Sequence, residues 1–144
     1  DEIRAYISRL DEDIEILKRQ NVSVCTCPRS NVKIHVGGTA PVEKFLAAGL
    51  NVCIGTDSLA SNDDLNVWNE MHFLKKIHPA ISDEQIIAMA TVNGARALGF
   101  ERAIGSIEKG KTYRLIRIEN SGPIPKPESF LLSGYTQFSK IEWL

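Results

Sequence analysis

The sequence contains no apolar run of membrane-spanning length and no run of basic residues. Its formal net charge is −1, from 17 Lys and Arg against 18 Asp and Glu. Binding to nucleic acid or to an anionic membrane therefore has no support in the composition, and we expect neither as a partner. The first residues also lack the charged-then-apolar pattern of a secretory signal. An apolar content of 43% and a charged content of 24% are typical of a globular protein.

Cysteine is scarce, with only Cys25, Cys27 and Cys53. An odd number argues against a disulfide framework and favours a reducing compartment, so we expect a cytoplasmic protein. Cys25 and Cys27 form a C-x-C pair, but no second Cys or His pair follows at the spacing of a zinc site. All three residues lie in apolar segments. This predicts buried, unreactive thiols rather than metal ligands or redox groups.

Two β-prone segments, residues 22–27 and 51–54, are each followed by polar residues. A helix is predicted between them, with Thr39 as its N-cap and Gly49 as its C-terminal cap. The order of helix, strand and polar loop, repeated once, indicates the α/β alternation of a parallel sheet. Ligands bind such sheets at the carboxyl ends of the strands, where both polar loops begin.

Asp57 directly follows the second of these strands. A carboxylate in this position is fixed at its base and free at its tip, as a metal ligand or general base must be. Capping of the next turn or helix explains the residue equally well at this point. Neighbouring polar side chains are candidate substrate contacts, with turn and cap chemistry as the alternative. These candidates are Ser58, Ser61, Asn62, Ser30 and Asn31.

Further helices are predicted on both sides of this region. One begins near Leu10 and stops near residues 20–21, and one is capped by residues 63–64 and ends at His78. Ser82 and Gln85 form a capping-box pattern, which opens a helix that should extend to Gly99.

The pattern changes after residue 103. Short strands are predicted at residues 104–107, 113–118, 130–132 and 138–143, with a proline-rich extended linker at 123–127 and a turn at 134–135. We therefore expect a barrel-like α/β portion over residues 1–103 and a small β-sandwich appendage over residues 104–144.

Five segments, taken in order, resemble the amidohydrolase superfamily. They are similar to its cytosine/guanine deaminase and triazine chlorohydrolase branch, which includes adenosine-type and S-adenosylhomocysteine deaminases. The segments are CPRSN at 27–31, GTDSLASN at 55–62, NEM at 69–71, ATVNGARALG at 90–99 and IGSIEKGK at 104–111. Each segment alone is a weak signal, but five in the required order and spacing are a strong one.

The resemblance implies an α/β fold, namely the C-terminal part of a metal-dependent hydrolase TIM barrel followed by a small β segment. Asp57 matches the family's aspartate after the eighth strand. That residue binds the metal and takes a proton from the metal-bound water as it attacks the substrate carbon. The resemblance thus makes Asp57 both metal ligand and catalytic base, with a divalent metal as cofactor, zinc in preference to iron.

The chain also departs from the family pattern. The paired metal histidines of the first strand, His-x-His, are absent, as is the histidine of the fifth strand. Tyr6 stands where the branch has a catalytic histidine at the end of the sixth strand, and Thr26 stands where a histidine often precedes the Cys-Pro. Catalytic zinc needs three protein ligands. Since the sequence also starts without a methionine, we expect an N-terminal portion to supply the missing ligands, and the chain alone to be inactive.

The predicted function is therefore that of the C-terminal portion of an amidohydrolase. Such an enzyme hydrolyses a C–N bond, in a deamination, or a C–Cl bond of a small amino-heterocycle. The alternative is a truncated or degenerate homologue with a structural or assembly role, and a third possibility is a small-ligand binding module. Two or three parallel strands leave sheet edges unpaired, so we expect a homo-oligomer or pairing with the missing N-terminal portion.

Overall fold

The computed structural model describes residues 2–120, 122–124, 126–133, 138 and 140–144, with side chains from residue 9 onward. It contains seven described helices and four described strands. The helices are α1 (Glu2–Arg19), α2 (Pro28–Lys33), α3 (Val42–Ala47), α4 (Val67–Ile77), α5 (Asp83–Ala90), α6 (Val92–Ala97) and α7 (Pro127–Leu132). The strands are β1 (Ser23–Thr26), β2 (Asn51–Ile54), β3 (Ile116–Glu119) and β4 (Lys140–Trp143).

Strands β1 and β2 form a parallel pair in which Ser23 lies opposite Asn51 and Thr26 lies opposite Ile54. The Gly55 N–H extends the pairing by donating to the Thr26 carbonyl at 2.9 Å. Parallel pairing places the carboxyl ends of both strands at one edge. The segments that follow them, α2 after β1 and the loop 55–66 after β2, therefore start side by side.

The core lies between this sheet and the helices α1, α3, α4 and α5. It is built from buried aliphatic and methionine side chains, which bury their apolar area as the main favourable term in folding. The members are Ile14, Val42, Leu50, Val52, Ile54, Met71, Leu74, Ile81, Ile86, Met89 and Leu132.

Several predicted boundaries were wrong in the first half of the chain. Helix α1 begins at Glu2 rather than near Leu10, so Tyr6 lies within a helix and not at a strand end. Residues 28–33 form α2 instead of a loop, because Pro28 is favourable in a first helical turn. Helix α3 begins after Pro41, and no side chain caps it, so Thr39 is not its cap. The predicted C-terminal role of Gly49 is confirmed by its φ of +80°.

The later helices also differ in detail. Asn66, not Asp63 or Asp64, caps α4, accepting hydrogen bonds from the N–H groups of Trp68 and Asn69. The capping box of Ser82 and Gln85 at the start of α5 is confirmed. The expected single helix to Gly99 is instead two helices, separated at Thr91 by φ −127° and ψ −95°.

The segment after residue 103 is only partly β. Strands β3 and β4 pair antiparallel, as short strands were predicted there. Residues 104–106 form a bend and turn rather than a strand, and residues 130–132 lie in α7, which begins at Pro127. The predicted turn at 134–135 lies outside the described residues.

Helix α7 packs on the first part of the chain. The Leu132 carbonyl lies 2.9 Å from Nδ1 of His72 on α4, and the Ser129 hydroxyl donates to Asp83 on α5 at 2.6 Å. The division at 103/104 stays a prediction. Of the helices in the described ranges, none combines the length and apolar character needed to cross a membrane.

Candidate functional site

Asp57 lies three residues beyond the end of β2, at the carboxyl edge of the parallel pair, and its side chain is exposed. Its φ is +59°, in the left-handed region that residues other than glycine adopt at a cost. Strained backbone of this kind persists where surrounding contacts fix it, and it is concentrated at functional sites. The contacts that fix Asp57 are therefore central to the site.

Two hydroxyl groups hold the Asp57 carboxylate. Ser61 Oγ donates to Oδ2 at 2.7 Å, and Ser30 Oγ donates to the same oxygen at 2.9 Å. The hydrogen bond from Ser61, followed by that from Ser30, lowers the pKa of Asp57 below its ordinary value. The carboxylate is thus anionic at neutral pH. The backbone N–H of Ser58 adds a further hydrogen bond to the carboxylate, and no described side chain donates to Oδ1.

The other predicted site residues take different positions. Ser30 is fully buried, so it reaches Asp57 from beneath rather than from the solvent side. Asn62 is only 2% exposed, and its amide donates to the Thr56 carbonyl at 2.7 Å, holding the loop from within. Ser58 is exposed, and its carbonyl accepts from the Ser61 N–H at 3.1 Å, so its backbone forms a turn. Contact of any of these residues with substrate stays a prediction.

Asn31 lies apart from Asp57 in the described contacts. It lines a shallow cavity of about 300 Å³ together with the loop that follows α2. His35 lies in the same wall, with a left-handed φ of +55°. This places a histidine on a cavity formed by the end of α2 and the loop after it.

A buried charged network supports the loop, and sequence reasoning found only part of it. Glu70 is fully buried in the first turn of α4. Arg29 makes a bidentate salt bridge to Asp64, with nitrogen–oxygen distances of 2.7 and 3.0 Å. That guanidinium lowers the pKa of Asp64 to about 2. No periodicity in the sequence connects Arg29 to Asp64, since the pair depends on how α2 and the loop meet in space.

The three thiols lie close to this edge. Cys53 is buried and Cys27 half-buried, whereas Cys25 is exposed, so the prediction of three buried thiols was wrong for Cys25. Burial, followed by the neighbouring Cys25, raises the pKa of Cys27 to about 11. A Cβ on Gly55 would lie 2.8 Å from the Cys25 sulfur and 3.2 Å from that of Cys27. A larger residue at position 55 would therefore require the Cys25 side chain to move.

The described residues form no group of three or more His, Cys, Asp or Glu side chains able to hold a metal. Asp57 by itself fits one ligand position, because two hydroxyls keep it anionic and no described side chain donates to its Oδ1. The remaining histidines are engaged elsewhere in the described structure. Nδ1 of His78 lies 2.7 Å from Glu43, and Nδ1 of His72 lies against Leu132.

Comparison with known proteins identifies the family. The amidohydrolase family model matches residues 4–140. The chain belongs to the amidohydrolase family. It is 45% identical over 130 residues to a 5-methylthioadenosine/S-adenosylhomocysteine deaminase of Caldanaerobacter subterraneus, covering 85% of this chain and 30% of that relative. It is 42% identical over 120 residues to a 5′-deoxyadenosine deaminase of Methanosarcina mazei, covering 78% of this chain and 27% of that relative.

Solved structures of the family have the same fold. An adenosine deaminase from Xanthomonas campestris with bound zinc superposes with a TM-score of 0.83 at 32% identity, covering 92% of this chain and 33% of that one. A zinc-containing atrazine chlorohydrolase from Arthrobacter aurescens gives 0.80 at 24% identity, covering 90% and 32%. The predicted family and the predicted portion of an amidohydrolase barrel are thus confirmed. The chain spans about 30% of the length of the curated relative with which it shares 45% identity.

Proposed function

We propose that this chain is the C-terminal portion of a metal-dependent amidohydrolase that deaminates an adenosine-type compound. The substrates that its relatives' names indicate are 5-methylthioadenosine, S-adenosylhomocysteine and 5′-deoxyadenosine. The observation that carries the proposal is the Asp57 carboxylate, held at the carboxyl edge of the sheet by Ser30 and Ser61, with no described side chain donating to Oδ1. In such a reaction, water adds to the ring carbon that bears the amino group, and ammonia leaves.

Asp57 would contribute one ligand to a divalent metal, for which zinc is the candidate because two similar structures contain it. A bound divalent metal lowers the pKa of a coordinated water toward neutrality. The part of this chain would be to hold an anionic carboxylate at the carboxyl edge of the sheet, able to ligate the metal and to accept a proton. The hydroxyls of Ser30 and Ser61, both on Oδ2, would hold that carboxylate in one orientation.

Substrate contacts would come from the residues around this carboxylate. Ser58 is exposed beside Asp57, and Asn31 and His35 line the cavity that follows α2. Ser58 follows the carboxyl end of β2, on the side of the sheet where α/β barrels bind their substrates. We assign these three residues to contacts with the substrate rather than to the metal.

Deamination is favoured over hydrolysis of a C–Cl bond. The relatives with 42–45% identity over most of the chain are named as deaminases, whereas the atrazine chlorohydrolase is 24% identical. The test is a paired assay of the zinc-loaded whole protein that contains these residues. We expect ammonia from the three nucleoside compounds and no chloride from a chlorotriazine. Chloride release without ammonia would reverse the assignment.

A non-catalytic homologue remains the second candidate. It is favoured by the lack, among the described residues, of a group of three or more side chains able to hold a metal. The same assay separates the two candidates, because a structural homologue releases neither ammonia nor chloride even when loaded with zinc.

A further inference from the structure

We propose that Glu70 is the positioning residue for Asp57, an inference that rests on the proposed role of Asp57 and adds a residue to its site. Glu70 does not touch Asp57. Instead, its carboxylate fixes the two separate segments from which the hydroxyl donors to Asp57 come.

The two oxygens of Glu70 have different partners. Oε1 accepts a hydrogen bond from the side-chain amide of Asn62 at 2.7 Å, and Oε2 accepts one from the backbone N–H of Arg29 at 3.1 Å. The Arg29 guanidinium also lies 3.5 Å from Oε1. Complete burial of a carboxylate is costly unless its oxygens are hydrogen-bonded and paired in this way.

Each partner of Glu70 is next in sequence to a serine that donates to Asp57. Ser30 follows Arg29, and Ser61 precedes Asn62. The Asn62 amide also donates to the carbonyl of Thr56, the residue before Asp57. One buried carboxylate therefore fixes the backbone before Asp57 and the residues next to both hydroxyl donors.

This arrangement explains how Asp57 stays in its left-handed conformation, with φ +59°. A non-glycine residue leaves that conformation unless its surroundings fix it. The salt bridge between Arg29 and Asp64 joins α2 to the later part of the same loop, whereas Glu70 holds the part next to Asp57 through Asn62. Helix α4 supplies a rigid base for Glu70, since Asn66 caps its first turn and Met71 and Leu74 bury it in the core.

The test uses Glu70→Gln and Glu70→Ala in the whole protein that contains this chain. Glutamine offers one acceptor and one donor, so it matches only one of the two donors that face Glu70. We expect kcat for deamination to fall about tenfold or more in Glu70→Gln, and further in Glu70→Ala, with KM within about twofold of wild type. Glu43→Gln is the matched control, a carboxylate on α3 paired with His78, and it should keep the wild-type kcat.

Amide hydrogen exchange without substrate provides an independent measurement. In Glu70→Gln, the amides of Ser61 and Asp63, which are hydrogen-bonded within the loop, should exchange at least tenfold faster, while the Gly55 amide, bonded to Thr26 in the sheet, keeps its wild-type rate. Unchanged exchange in the loop would overturn the proposal, as would an equal increase at Gly55, which marks a general loss of stability. If wild type releases no ammonia, the proposed function fails, and the exchange pattern alone decides the role of Glu70.

Discussion

Asp57 depends on donors from two distant parts of the chain. Ser61 lies four positions after it, and Ser30 lies 27 positions before it. Both hydroxyls bond to Oδ2, so they stabilise the carboxylate form, and no described side chain donates to Oδ1. At this scale the site is a charged group whose protonation is set by two neutral donors.

Removing these hydroxyl donors should shift the pH at which kcat falls on the acid side of the pH–rate profile. Because both hydrogen bonds lower the pKa of Asp57, Ser30→Ala and Ser61→Ala each raise it toward the ordinary value. Asp57 is then protonated at a higher pH, and kcat of the whole protein should begin to fall at a higher pH on the acid side. The pH–rate profile measures this. Ser129→Ala is the control, since Ser129 donates to Asp83 on α5, and an equal shift in that variant would contradict the account.

The sequence located Asp57 but not the way in which it is held. Position after a strand and the family motif both pointed to this residue, because a strand end and a motif are local features. The donor pairing of Ser30 and the salt bridge of Arg29 with Asp64 required α2 to lie against the loop. That placement is a tertiary effect which no spacing in the sequence encodes.

At the scale of elements, α4 is the helix that supports the loop, and its cap illustrates why the predicted cap was wrong. Asp64 is occupied by the Arg29 guanidinium, at 2.7 and 3.0 Å. The helix therefore begins two residues later, where the side chain of Asn66 accepts from the N–H groups of Trp68 and Asn69. A nearby cation changed which polar residue was available to cap.

The cap should be measurable in stability. Asn66→Ala removes the acceptor for two N–H groups, and we expect it to lower the free energy of unfolding by about 1 kcal/mol. Asp63→Ala removes only an exposed ion pair with Lys33 and should cost less than about 0.5 kcal/mol. Urea unfolding compares them. If Asp63→Ala lowered the free energy of unfolding more than Asn66→Ala does, the cap predicted from sequence would be supported instead.

Gly105 lies between α6 and the last part of the chain, and both its backbone conformation and its contact with α6 require a glycine. Its φ is +98°, and a Cβ there would lie 2.8 Å from the Ala95 Cβ and 2.9 Å from the Val92 Cα. The sequence predicted a short strand at 104–107. The positive φ and the contact with α6 instead make it a turn packed on a helix.

Substitution of this glycine should destabilise the protein strongly. Gly105→Ala brings both strain and overlap, whereas Gly110→Ala, with φ +94° and no atom within 4 Å of a Cβ, brings strain alone. We expect Gly105→Ala to lower the free energy of unfolding by about 1 kcal/mol or more beyond the Gly110→Ala loss. Thermal unfolding of the two variants gives the difference. Equal losses of stability in the two variants would contradict this expectation, because they would show that the contacts of the added Cβ with Ala95 and Val92 cost no free energy.

For the whole molecule, the sequence predicted the α/β order and the family. Both follow from local sequence patterns and from the order in which those patterns occur along the chain. It missed the start of α1 and the helical state of residues 130–132. Residues 130–132 are helical in contact with the core, where Leu132 is buried, and tertiary packing overrides weak local preference.

The sheet of two parallel strands leaves strand edges at which an oligomer or the missing N-terminal portion could pair. In the described part of the chain, β1 and β2 pair only with each other, so one edge of each strand has no strand beside it. Exposed edges of this kind favour pairing with further strands. We expect the 16.0 kDa chain to run as an oligomer in size-exclusion chromatography with light scattering. A single compact monomer would contradict this expectation.

The most direct measurement compares Asp57→Asn with wild type in the zinc-loaded whole protein. The account predicts ammonia release from 5-methylthioadenosine or S-adenosylhomocysteine by wild type, a loss of about a hundredfold or more in Asp57→Asn, and a lower zinc content in that variant. Asp63→Asn, an exposed carboxylate six residues on, should keep wild-type activity and zinc. Equal ammonia release and equal zinc content in Asp57→Asn and wild type would contradict the account.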